Sequence, residues 1–239
     1  MAKDSYAPMW RHEWRLGLLP VVVAMAAAWW LQISNWDISW LRLFWDEPSQ
    51  SWPYRDHWLA SGVLHTGGQQ LVQWLGIVLL LVWVGLGWRL TEALRRTLTY
   101  VVVASICSSL LIAGLKEVTH LPCAWEVTVF GGNVPHLTML DMFNPAWPKG
   151  SCFPAGHASG GYIWLSLFFA VRAYTGRVQY WALLPGMLLG LVFGFTQQIR
   201  GAHFPSHDLV TFALCWLVCW LWSLWFSKHI RAARLQENK

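Results

Sequence analysis

Charged side chains are scarce in this chain, 12% of 239 residues against 56% hydrophobic ones, and a single soluble core has no use for that much apolar surface. The sequence also lacks internal repeats, low-complexity tracts and any run of like charge. Its first apolar stretch ends in WWLQISNW rather than in a small-residue cleavage site, which argues against a removed signal. Cysteines number only five, and with the histidines they form no recognisable zinc-binding set. What is abundant instead is tryptophan, 20 residues, with a positive mean hydropathy of +0.37. The composition is that of a membrane protein.

Stretches free of Asp, Glu, Lys and Arg, and long enough at about 1.5 Å per residue to cross about 30 Å of hydrocarbon, fall at 16–36, 66–88, 97–115, 178–199 and 209–227. A sixth, shorter one runs from about Ala155 to residue 171. We therefore expect an all-α, polytopic fold of six transmembrane helices forming one domain over 1–239, with both termini cytoplasmic. The orientation follows from the basic residues, because cytoplasmic loops retain Lys and Arg. With the N-terminus inside, twelve of the 17 Lys and Arg, from Lys3 to Lys239, fall on the inner side. A pI near 9.1 is then a topology signal, and nucleic acid is not an implied partner.

Histidines show the opposite bias. His57, His65, His120, His136, His157, His203 and His207 all fall in outer segments, and ionisable groups gathered on one membrane face mark a site. Two long outer loops, 37–65 and 117–154, form its expected mouth. The first is Trp-rich, and its ISWLRLFW reads as an interfacial amphipathic helix. The second is punctuated by prolines and carries Cys123, with Cys152 near its end, a pair that can bridge on an oxidising face. Cys107, Cys215 and Cys219 lie in apolar runs and read as packing residues.

Chemistry concentrates in two short stretches, SCFPAGHASGG at 151–161 and RGAHFPSHD at 200–208. In the first, a Pro-Gly turn feeds a helix start, whose unpaired N–H groups and positive dipole end suit phosphate, with His157 beside it. In the second, Arg200 offers a planar fork of donors, His203 an imidazole able to attack phosphorus, and Asp208 a carboxylate able to hold that imidazole in one tautomer. Lys116 adds a cation at the outer end of the third apolar run.

Taken together, these blocks resemble the type-2 phosphatidic acid phosphatase superfamily, whose three motifs occur in this order: a Lys with Arg-Pro seven residues on, a Pro-Ser-Gly-His turn, and a Ser-Arg block with His six after the Arg and Asp four after the His. The resemblance spans Lys116 to Asp208. This sequence departs from the pattern in each block. Cys123-Ala124 stands where Arg-Pro is expected, Ala155 replaces the Ser, and, with His203 as nucleophile, Gln197 and His207 occupy the Arg and Asp positions. With His207 as nucleophile instead, Arg200 sits seven residues before it rather than six. The G-A-H-F-P-S context favours His203, leaving His207 to bind phosphate or to support the site.

The resemblance implies a metal-independent, cofactor-free lipid phosphatase of a bacterial inner membrane, its site facing the periplasm. Lys116, Arg200 and the amides around Ala155 and Gly156 would hold the phosphate. His203, oriented by Asp208, would attack it, and His157 would protonate the leaving oxygen. Candidate substrates are phosphatidylglycerol phosphate, undecaprenyl diphosphate and the phosphates of lipid A. The lipid bilayer is the only other partner implied, with no obligate protein partner. Three alternatives stay open: a lipid phosphotransferase using the same site, a zinc hydrolase built on His203, His207 and Asp208, and a carrier that binds lipid phosphate without chemistry.

Overall fold

A computed structural model of the protein describes residues 10–237; Lys3 and Lys239, counted in the charge asymmetry, lie outside the described residues. The fold is all-helical. Eight α-helices follow one another: α1 (Trp10–Ile33), α2 (Trp36–Leu41), α3 (Gly68–Leu86), α4 (Glu92–Val118), α5 (Gly156–Tyr162), α6 (Ser166–Thr175), α7 (Leu184–Ile199) and α8 (Pro205–Glu237). Five helical runs are long and apolar enough to cross a bilayer: Glu13–Ile33, Trp58–Arg89, Glu92–Val118, Tyr180–Ile199 and Pro205–Glu237. The protein is a polytopic membrane protein. The sixth expected span is α5 and α6 joined by a 3₁₀ turn at Ile163–Leu165, and it is not among those five.

α8 is the central element, packed along α1, α4 and α6. The contact with α1 is close because Gly17 has no side chain: a Cβ there would fall 2.0 Å from the Trp220 ring, and the Trp216 indole N–H reaches the Gly17 carbonyl at 3.1 Å. α5 meets α7 through a glycine pair, since a Cβ on Gly161 would lie 2.1 Å from the Gly190 backbone nitrogen. The small residues after His157 thus let the helix that carries it lie flat on α7, the device by which membrane helices gain van der Waals contact. Phe168, Phe169 and Trp216 fill the interior between α6 and α8, and the Tyr100 hydroxyl donates to the Cys219 carbonyl at 2.8 Å.

Two expectations about the first outer loop are revised. Helix begins at Trp58 rather than 66, as ten residues of wide π-helix (Trp58–Gly67) that run directly into α3. The ISWLRLFW stretch is helical only as far as Leu41, in α2, and Asp37, Ile38 and Leu41 point inward. Trp45, Trp52 and Phe130 pack on that buried face in a cluster that joins the two outer loops. The second loop is irregular apart from short 3₁₀ turns, and Cys123 is disulfide-bonded to Cys152 across it.

The ends of the bundle are set by pairing. Arg172 in α6 clamps Glu13 at the start of α1 with two bonds of 2.9 and 2.6 Å, and the Glu237 carboxylate accepts from the Ala93 amide at 2.8 Å. The starts of α1 and α4 and the ends of α6 and α8 therefore share one end. At the other end lie the last turns of α4 and α7 and the first turns of α5 and α8, with Lys116, Arg200, His157 and His207.

Candidate active site

His203 lies in the turn between α7 and α8, and that turn depends on Gly201. Its φ of +76° is a left-handed conformation costly for other residues, and a Cβ there would stand 2.3 Å from the Trp52 indole. The start of α8 is fixed from a distance. Asp37, fully buried in α2, accepts from the Ser206 amide at 3.0 Å and from its hydroxyl at 2.5 Å, capping the helix as an N-terminal carboxylate does. Burial raises the Asp37 carboxyl to about 6, opposed by the two bonds from Ser206. Gln32 of α1 ties this cap to the second loop, donating to the Ser206 hydroxyl at 3.2 Å and accepting from the Met139 amide at 2.9 Å.

The other wall is the turn before α5. The Thr119 hydroxyl, just past α4, donates to the Phe153 carbonyl at 2.5 Å, and His207 Nδ1 contacts the Cys152 carbonyl at 3.0 Å. A carbonyl only accepts, so His207 carries its proton on Nδ1. Gly156 makes room for Lys116: a Cβ there would be 3.2 Å from the ammonium nitrogen.

The structure gathers five of the expected residues. His203 is 5% exposed, and the charges of His207, Lys116 and His157 all act on it. Burial first, then those neighbours, hold its imidazole well below the usual histidine range, so at neutral pH it is an unprotonated base. Arg200, in turn, acts on His157. Its guanidinium is 9% exposed and held in plane by three bonds, Nε to the Arg55 carbonyl at 2.9 Å and the terminal nitrogens to Gln197 Oε1 at 3.1 Å and Ser61 Oγ at 3.5 Å. Of five N–H donors, two remain. Burial lowers its pKa, with the Asp56 carboxylate opposing.

Two expected roles are corrected. Asp208 does not hold His203. At the first turn of α8 its carboxylate turns toward α7, where Gly194 leaves the space, a Cβ there being 2.8 Å away, and it accepts from the Gln198 amide, itself oriented by the Trp40 indole at 2.8 Å. The second Asp208 oxygen and His203 Nδ1 are both buried without a partner among the described residues. Ala155 likewise does not offer its amide, which donates to Thr211 Oγ1 at 2.8 Å across the helix pair. Among the described residues, the amides of Gly156 and His157, at the open start of α5, have no protein acceptor.

Of the remaining histidines, His136 packs edge-on against Phe204 with ring centroids 5.0 Å apart, and burial lowers its pKa. His57 caps the π-helix and His120 contacts the Trp147 carbonyl, both away from the cluster. His65 does join it, its ring centroid 4.7 Å from that of His157. It is one of the seven outer-segment histidines, standing in the Ser/Gly/Thr-rich stretch ASGVLHTGG that enters the apolar run, and nothing in the sequence assigned it an individual role.

The His203 and His207 ring centroids are 6.1 Å apart, and among the described residues no group of three or more His, Cys, Asp or Glu side chains is placed to hold a metal ion. A family model described as the PAP2 superfamily matches residues 94–231, a stretch that contains Lys116, His157, Arg200, His203 and Asp208. No curated protein and no solved structure matches the chain.

Proposed function

With more than half of its length matched by that family model, the chain belongs to the PAP2 superfamily, a membership that carries a phosphatase-type activity on lipid phosphates, and we propose that it is a metal-independent lipid phosphate phosphatase working through a phosphohistidine. The observation that carries this reading is the convergence of two cations and two histidines at one end of the bundle, with neither Lys116 nor Arg200 in an ion pair within the described residues. A buried guanidinium and a half-buried ammonium without carboxylate partners favour an anion between them, and a tetrahedral phosphate is the anion this geometry fits.

In the first step the phosphate rests on the Lys116 ammonium, the two free Arg200 N–H groups and the amides of Gly156 and His157. The neutral imidazole of His203 attacks phosphorus, forming an N–P bond as the P–O bond to the lipid breaks. His157 delivers its proton to the leaving oxygen. Fixed donors around the equatorial oxygens supply most of the stabilisation. In the second step the now neutral His157 takes a proton from water, whose oxygen displaces the imidazole. His207, anchored to the Cys152 carbonyl, supports the loop rather than the phosphate.

A seat for the lipid's headgroup lies beside Arg200. A cavity of about 460 Å³, lined by Trp45, Gln50, Trp52, Arg55, Asp56 and Trp125 among others, abuts Arg200 through the Arg55 carbonyl. Acyl chains would leave toward the apolar flank of the π-helix and α3. We place this end at the periplasmic face of a bacterial inner membrane, in line with the distribution of Lys and Arg and with the disulfide. Phosphatidylglycerol phosphate, undecaprenyl diphosphate and lipid A phosphates are the substrates to test.

The test is incubation of the purified protein with those three lipids in excess chelator, measuring free phosphate and phosphorylated lipid products. The expected result is phosphate release from at least one lipid, undiminished by chelator and absent in His157→Ala. Transfer to a second lipid would make the protein a phosphotransferase. Activity that requires added zinc, or binding with no product, would overturn the proposal.

A further inference from the structure

The ten-residue π-helix Trp58–Gly67 is an expensive way to enter a membrane, and wide turns of this kind gather at functional sites. Gly68 brings the segment onto α7: a Cβ there would be 2.7 Å from the Phe193 ring, which itself lies 4.7 Å from His157. One face of the π-helix then touches the site three times. Ser61 Oγ meets Arg200, the Leu64 carbonyl meets His157 Nε2 at 3.2 Å, and the His65 ring stands edge to face with His157 at 62°.

The protons in this cluster follow from which atoms can only donate or only accept. A guanidinium only donates, so Gln197 Oε1 must accept from Arg200 at 3.1 Å. That fixes the amide, and its NH₂ faces His65 Nδ1 at 2.7 Å. His65 Nδ1 is therefore the acceptor, and the His65 proton sits on Nε2. A carbonyl only accepts, so His157 Nε2 carries a proton bound for Leu64, and Nδ1 is the atom left to exchange a proton with a ligand.

We propose that His65 is a positioning residue for the acid–base histidine: the chain Arg200–Gln197–His65 locks one tautomer of His65, whose ring, with the Leu64 carbonyl, holds His157 at the angle that presents Nδ1 to the lipid oxygen. This inference rests on the acid–base role of His157 proposed above. The Leu64 carbonyl does for His157 what an orienting carboxylate does in a triad, keeping Nε2 protonated in both steps. His65 supplies the lateral wall, and Gln197 keeps a second proton off His65 Nδ1, where it would meet the NH₂.

The two functions of His157 allow a test that a purely structural role would not pass. An alkoxide leaving group needs a proton in the first step, whereas nitrophenolate leaves unaided; hydrolysis of the phosphoenzyme needs His157 with either substrate. Purified wild type, His65→Ala and the closer-fitting His65→Asn are compared on an alkyl lipid phosphate and on p-nitrophenyl phosphate, reading the first-turnover burst and the steady state separately. We expect the variants to turn over the alkyl phosphate about 10- to 100-fold more slowly at little-changed KM. They should keep a stoichiometric burst of nitrophenolate, followed by an equally slowed steady state. If burst and steady state fall together in His65→Asn, or if neither variant slows the alkyl phosphate, the assignment is wrong. If wild type releases phosphate from neither substrate, it is the catalytic reading that fails, a different outcome.

Discussion

At one end of the bundle Arg172 is gripped by both carboxylate oxygens of Glu13, and Arg95 and Arg96 share Glu92. At the other, Arg200 spends its bonds on a carbonyl, an amide and a hydroxyl, and Lys116 lies against a glycine. Each end also holds a cavity of about 460 Å³, and neither is lined by a histidine. The ion pair nearest the site, Lys149 with Glu117, is more than half exposed on both sides and contributes little. A cation paired with a carboxylate is neutralised and serves the fold. One surrounded by neutral acceptors keeps its charge for something that arrives from outside.

The contrast breaks most severely at the nucleophile. His203→Ala should lower kcat by about 10⁴-fold or more with the melting temperature nearly unchanged, measured as phosphate release and thermal unfolding in detergent. Next come the cations. Arg200→Ala and Lys116→Ala are each expected to lose about 10²- to 10³-fold in kcat, the usual loss for one fixed donor, whereas Arg172→Ala should leave kcat alone and lower the melting temperature instead. Equal kinetic losses at both ends would erase the distinction. The double substitution Cys123→Ser with Cys152→Ser should cost about 2–5 kcal/mol of stability and loosen the carbonyl that anchors His207.

The smallest effects are those of pH, and they run in opposite directions. His203, held below the ordinary histidine pKa of 6.5, binds fewer protons folded than unfolded. Its contribution is present above pH 6.5 and lost as pH falls toward its folded value, so kcat/KM should hold its plateau somewhat below 6.5 before dropping. Asp37, raised from 3.8 to about 6, binds more protons folded. Its contribution is present below 3.8 and lost as pH rises through 6. Asp37→Asn should flatten the stability profile between those two values, read from unfolding at a series of pH values; an unchanged slope would show that the cap titrates elsewhere.

Much of the site was legible because apolar runs end where charges begin. Those ends put Lys116, His157, Arg200 and His203 at one end of the bundle. What escaped was decided by contacts distant in sequence. Ala155 loses its amide to Thr211, 56 positions away, and Asp208 turns to a space that only Gly194 leaves open. α8 reaches Glu237 because its last turns, charged on one face, continue a helix that a scan for uncharged residues cuts short at 227. His65, counted among the outer histidines, lacked a role for the converse reason: it precedes the apolar run by one residue, and a π-helix carries it into the cluster.

The most direct test of the account is to trap the intermediate. Wild-type protein, quenched in alkali within one turnover of a ³²P-labelled lipid phosphate in the presence of chelator, should carry acid-labile, alkali-stable phosphate on the peptide containing His203, with none in His203→Ala and a persistent label in His157→Ala given an aryl phosphate. Label on His207 instead, or rapid phosphate release with no labelled histidine at any time, would contradict it.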